Sequence, residues 1–150
     1  MSTRTLPNPF RHLPSTRDVL PSLVQLMLRL GLAGIFWSSA RTKVEGLLTV
    51  SDNTVYLFAE EYRLPLLSPE LAAHITTYAE HLLPLLLAAG LASRFAALGL
   101  FIMTLIIQLF VYPDAFLSTH LGWMALASAI IIYGPGRFAL DDVIGRMRKS

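Results

Sequence analysis

Arg29, Glu80, His81, Gln108 and His120 each interrupt a run of apolar residues. An ionisable group in such a run is costly in hydrocarbon, so it finds a partner or lines a ligand site or ion path. Arg29 and Glu80 carry opposite charge, and pairing relieves both. As a pair they fix helix register. As a pocket they offer guanidinium donors and a protonatable carboxylate to a quinone head group or a small anion. His81 and His120 are imidazoles on different runs, a set able to ligate a b-type haem or relay protons. A hydrogen-bonded structural role is the commoner fate of such histidines and is the preferred reading. Adjacent helix positions lie about 100° apart, so Glu80 and His81 cannot both point straight inward, and one of them is expected to face lipid or a neighbouring subunit. Glu70 and His74 stand one turn apart on a common face. Two ligands are too few for a closed metal site, and no HExxH accompanies them, so no metal is assigned. No phosphate loop or nucleophile elbow occurs, and no residue is assigned a catalytic role.

The elements that must position these groups are four apolar runs, 21–39, 71–91, 95–111 and 115–133. A membrane-spanning helix needs about 20 residues. The chain of 150 residues is 54% hydrophobic and 15% charged, against about 25% charged in an ordinary soluble domain. Mean hydropathy is +0.56. Disorder is excluded, and four such runs leave no room for a soluble core. The fold predicted is all-α: one domain forming a four-transmembrane-helix bundle with a loop at 40–69 and tails at 1–20 and 134–150.

Punctuation agrees. Asp18 or Pro21 opens the first helix, and Ser68-Pro69-Glu70 opens the second, within which Pro84 sets a kink. A tight turn at 90–94, Tyr112-Pro113-Asp114 and Gly134-Pro135-Gly136 supply the remaining breaks. Counting 1.5 Å per residue places the five buried polar groups in one layer, about 12–20 Å from the end that carries the tails. In the loop, residues 55–62 are read as a short helix on the bundle mouth or as part of a solvated connector. That loop is also the docking surface expected for a soluble or membrane protein partner.

Basic residues set the expected orientation. Arg4, Arg11, Arg17, Arg94, Arg137, Arg146, Arg148 and Lys149 lie on one side, against Arg41, Lys43 and Arg63 on the other. Both termini are therefore expected in the cytoplasm. Ser38-Ser39-Ala40 imitates a signal-peptidase site, but Arg29 inside the run argues for a retained helix. Cysteine is absent, which excludes disulfides, thiol redox chemistry, iron–sulfur clusters and covalently held haem. No basic block points to nucleic acid.

Several segments, in order, resemble the DoxX family of small four-helix bacterial membrane proteins. These are Arg29-Leu30-Gly31 through Ile35-Phe36 with Lys43 following, then residues 73–80 ending in Glu80, and the turn 90–99. Tyr112-Pro113 with His120 and Trp123 follows, then Gly134-Pro135-Gly136-Arg137-Phe138-Ala139-Leu140-Asp141. Ala40 stands where the pattern has glycine, and Ala139 where serine is usual. The resemblance carries over Arg29, Lys43, Glu80, Arg94, His120 and Arg137 as polar residues of interest. It implies the four-helix fold and the bacterial inner membrane. Relatives are linked to thiosulfate:quinone oxidoreductase, to redox-stress complexes and to metal-handling clusters. Two functions are thereby carried forward. One is an accessory or quinone-interacting subunit of a membrane redox system. The other is a non-catalytic scaffold or a small-solute or metal-handling transport component. The lipid bilayer is the common partner, and a small bundle with buried polar groups is a candidate for oligomerisation.

Overall fold

The structure is a computed structural model that describes residues 16–148, with side chains from residue 19 onward. The expectations placed on Arg4, Arg11 and Lys149, and on the side chains of Arg17 and Asp18, lie outside what is described. Helix α1 spans Thr16–Arg41, with Pro21 inside it. It starts before either expected start and ends beyond residue 39. A two-residue hairpin follows, β1 (Val44–Glu45) against β2 (Thr49–Val50), antiparallel with Val44 opposite Val50. Helix α2 (Asp52–Leu57) takes its cap from Ser51, whose side chain accepts the Thr54 N–H, and runs on as a π-helical turn, Phe58–Tyr62. Helix α3 is Pro69–Ala89, with Ser68 as its cap. Helix α4 is Ser93–Ile106, prolonged by a π turn to Val111. After a short 3-10 turn at Pro113–Ala115 and a π turn at Phe116–His120 comes α5, Leu121–Tyr133. Helix α6 is Leu140–Met147.

Among the described residues, three segments are long and apolar enough to cross a membrane, Val19–Arg41, Ser93–Val111 and Pro113–Tyr133. The chain is an all-α membrane protein, its hairpin aside. Helix α3 has the length of a span but carries buried polar groups on one face. Thr77, Glu80 and His81 are buried, while Leu71, Ile75, Tyr78, Leu82 and Leu85 form an exposed apolar stripe along its length. The core lies where α1, α3, α4 and α5 meet, built on Leu32, Phe36, Leu87, Leu100 and Ile130. Ala33, Ala96, Ala97 and Ala127 are buried beside them. Lipid tails are as apolar as leucine, so close packing at small residues, with buried hydrogen bonds, holds such helices together.

The loop between α1 and α3 is folded. Phe58 of the π turn packs on Ala72 and Ala73 of α3, giving a second small core. We call this the loop end of the bundle and the α3–α4 turn the turn end. At the turn end, Gly90 (φ +72°) closes α3 in a Schellman motif, with Leu91 N–H donating to Leu86 O at 2.9 Å and Gly90 N–H to Leu87 O at 3.1 Å. Ala92 follows in the left-handed region, φ 48°.

The segment after α5, expected as a tail, folds back onto this turn. Gly136 allows this, because a Cβ there would lie 2.9 Å from Gln25 of α1. Asp141 then joins three elements. Its N–H donates to Gly90 O at 2.9 Å, and its carboxylate accepts from Ala92 N–H at 2.7 Å and Ser93 N–H at 2.8 Å. Those amides open α4, whose preceding residue supplies no side-chain cap. Asp141 therefore caps α4 from a distant part of the chain, its charge at the positive end of the helix dipole.

Partial burial works to raise the Asp141 pKa, but the bonds from Ser93 and Ala92 and the nearby Arg29 charge hold it below the ordinary carboxylate range. Its folded pKa is thus depressed relative to the unfolded chain. The stabilisation is present above the unfolded pKa and is lost as pH falls through the folded one. Asp141→Ala is expected to cost about 1–2 kcal/mol at neutral pH, as for a lost helix cap. Thermal unfolding in detergent, followed by tryptophan fluorescence, should show the gap from wild type narrowing below the ordinary aspartate pKa. A pH-independent gap would refute this role.

Candidate functional site

Arg29 lies in α1 with no exposed surface, and its partners differ from the expected one. It does not pair with Glu80. Its guanidinium donates to Leu87 O at 3.1 Å, Ala88 O at 3.2 Å and Phe138 O at 2.7 Å. Leu87 and Ala88 belong to the last turn of α3, whose carbonyls lack the regular helical N–H four residues on; Leu87 O accepts from Gly90 N–H in the Schellman turn and has a second lone pair for the guanidinium. A cation there also meets the negative end of the dipole. The space is tight: a Cβ on Gly90 would fall 2.4 Å from the guanidinium. The equal-depth expectation fails because α1 and α3 are offset. Arg29 is level with Leu87, while Trp37 meets His81, ring centroids 5.3 Å apart. Relative to an Arg29–Glu80 pairing the shift is about eight residues, roughly 12 Å at 1.5 Å per residue.

Glu80 instead pairs with Lys43, Nζ to Oε2 at 2.7 Å, with side-chain exposures of 2% and 13%. Lys43 sits just past the end of α1 and reaches back along it, also donating to Ser39 Oγ at 2.7 Å and Ser39 O at 3.3 Å. A long, flexible ammonium can do this where a short side chain cannot. This ion pair forms part of the wall of a cavity of about 270 Å³ at the loop end. Most of the lining is apolar, including Ile35, Phe36, Ile75, Met103, Ile106 and Trp123, and the loop adds Phe58, Tyr62, Leu64 and Leu67. Single-ring ligands match the lower end of the size range of small-molecule sites.

His120 is buried and borders the same cavity. Gln108 Nε2 donates to Pro113 O at 2.6 Å, and its Oε1 faces His120 Nδ1 at 2.7 Å. Pro113 O can only accept, so Gln108 presents its amide oxygen to the imidazole. Nδ1 therefore carries the proton, and Nε2 is left as acceptor in the neutral ring. The cavity layer thus draws on α3 through Glu80, on the end of α4 through Gln108 and on the approach to α5 through His120. The residue from the α1 side is Lys43, not Arg29.

His81 is turned away from this site. Its Nδ1 donates to Thr77 O at 2.8 Å, its Nε2 is buried without a hydrogen-bond partner, and the residue does not line the cavity. The two imidazoles expected as haem ligands therefore have different surroundings. His74 Nδ1 bonds the backbone carbonyl of Glu70 at 2.8 Å rather than its carboxylate. Arg94 lies exposed at the turn end beside Gly134. Arg137 is held there through its backbone N–H, which donates to Ser22 Oγ at 3.4 Å.

The helix on the bundle mouth was one of the two readings of residues 55–62, but sequence reasoning missed that the loop lines the cavity and how it is closed. Tyr112 Oη donates to Glu61 Oε1 at 2.6 Å, and the Tyr62 and Tyr112 rings meet edge-on at 5.9 Å. This closes the loop over the end of α4. The bond to Glu61, with burial added, pushes the Tyr112 phenol well above its ordinary pKa. The visible signal was the acidic pair Glu60-Glu61 beside Tyr62; its partner fifty-one positions on was not visible.

A buried pair that loses one member leaves an uncompensated charge, at about 3–5 kcal/mol. Lys43→Met is expected to cost about that much in detergent unfolding, and Lys43→Met with Glu80→Leu to recover most of it. Arg29→Met and Glu80→Gln share no partner, so their effects should add within about 0.5 kcal/mol. Strong coupling between them in a double-mutant cycle would restore the Arg29–Glu80 pair.

A family model described as DoxX matches residues 24–113. No curated protein and no solved structure matches the chain. The matched stretch contains Arg29, Lys43, Glu80 and Gln108, and it covers more than half of the sequence. The chain belongs to the DoxX family.

Proposed function

We propose that the loop-end cavity receives a quinone head group and that this chain is an accessory, quinone-interacting subunit of a membrane redox system. The observation that carries this reading is the lining: an ion pair and a histidine of fixed tautomer in the wall of a largely apolar, ring-sized cavity. Quinone oxygens accept hydrogen bonds, and Lys43 is a donor at that wall. All its short contacts are in use, so the 3.3 Å bond to Ser39 O is the one that yields to a ligand oxygen. Neutral His120 supplies an acceptor for a quinol hydroxyl. Quinones carry electrons and protons; the protein supplies position, hydrogen bonds and field. Electrons come from a partner, and the folded loop over the cavity is the surface proposed to meet it.

In this reading all four long helices cross a bacterial inner membrane with both termini in the cytoplasm. The apolar stripe on α3 supports the fourth crossing, since lipid suits such a surface along a whole helix. The excess of Lys and Arg at the turn end supports the orientation. Reporter fusions should find the C-terminus inside, and an external C-terminus would reverse the assignment.

The binding test uses Trp123 in the cavity wall, with Trp37→Phe removing the other indole. A short-chain quinone should quench fluorescence saturably, and His120→Leu should weaken binding about tenfold, the equivalent of 1.4 kcal/mol. Solvent extraction of protein taken gently from its own membranes should yield quinone. Absence of both would leave the second function, a scaffold or transport component.

A further inference from the structure

We propose that α6 is a membrane-surface helix whose partner is a bilayer leaflet bearing anionic lipid. The helix follows the last spanning segment but does not trail into solvent. Through Asp141 its first turn is bonded to Gly90, Ala92 and Ser93, where α3 ends and α4 begins. These bonds fix its start at the level of the bundle's turn end.

Its residues sort by face. Leu140, Val143 and Ile144 recur at the i, i+3, i+4 spacing of a single helix face, and they are 47%, 47% and 39% exposed. Phe138, just before the helix, is 50% exposed. On the other face, Arg146 is ion-paired with Asp142. An apolar face exposed at that level lies against the boundary between head groups and acyl chains, the setting of interfacial helices. Charge supplies the lipid preference. Asp141 is occupied by backbone amides and Asp142 by Arg146, and Arg148 and Arg94 are exposed cations among the described residues on this side. Basic residues at such a surface attract anionic lipid.

The chain has no cysteine, so single cysteine substitutions give unambiguous spin-label sites on the full protein. Labels at Val143→Cys and Gly145→Cys would be compared in vesicles of phosphatidylcholine with phosphatidylglycerol. The Val143 label should collide with oxygen more than with a water-soluble nickel chelate, and the Gly145 label should do the reverse. Replacing phosphatidylglycerol by phosphatidylcholine should raise nickel access at Val143 several-fold. Three results would overturn the proposal. They are equal nickel access at both positions, shielding of Val143 from both reagents (a face covered by protein), and indifference to lipid charge.

Discussion

Arg29 donates to the carbonyls that finish α3, and the geometry of the turn end depends on that placement. A guanidinium buried in a bundle without water needs acceptors, and the last turn of a helix has them to spare. The same turn begins α4, whose first amides need acceptors in turn, and Asp141 brings a carboxylate to them. A cation at the end of one helix and an anion at the start of the next each oppose the local dipole. The chain between α5 and α6 folds back because both groups draw it there: Phe138 offers its carbonyl to Arg29, and Asp141 its side chain to α4. Gly90, the first residue of the turn, suits its place because its φ is left-handed and a Cβ there would collide with the Arg29 guanidinium and with Ala139.

With the turn end secured in this way, the loop end is free to differ. There the polar groups are grouped around space rather than packed against backbone. Lys43 and Glu80 satisfy each other in the wall of the cavity, and Gln108 holds His120 in one tautomer. The loop closes over them with aromatic side chains and the Tyr112–Glu61 bond. At the turn end the buried charge of Arg29 and the carboxylate of Asp141 are consumed by structure. The charges at the loop end line a volume that a ligand could share, which is why the functional reading rests on the second group.

Much of the architecture was readable from composition. Apolar runs announced the long helices, and their breaks at Gly90, Tyr112-Pro113 and Gly134 fell where the structure has them. Burial of Arg29, Glu80 and His120 also followed from their setting in those runs, whereas His81 is buried beside Glu80 although one of the two was expected to face lipid or a neighbouring subunit. Partnership did not follow. Depth was counted from assumed helix starts, and α1 in fact begins at Thr16 and runs past the α3–α4 turn. An error of two turns in register is enough to exchange one charge partner for another. Lys43 was visible as a basic residue after the helix, but not as one whose stem lies back along α1 to reach Glu80.

What the sequence determined by itself is the solvent and the kind of structure that suits it. In hydrocarbon every backbone polar group must be satisfied internally, so long apolar runs become helices, and charges within them turn inward. These are local consequences of residue type and spacing. Which charge meets which group was decided by the offset between α1 and α3. The cap on α4 came from forty-eight residues away, and the cavity formed only when a loop folded over the bundle. Those outcomes depend on the relative positions of elements distant in the chain, and only packing sets such positions.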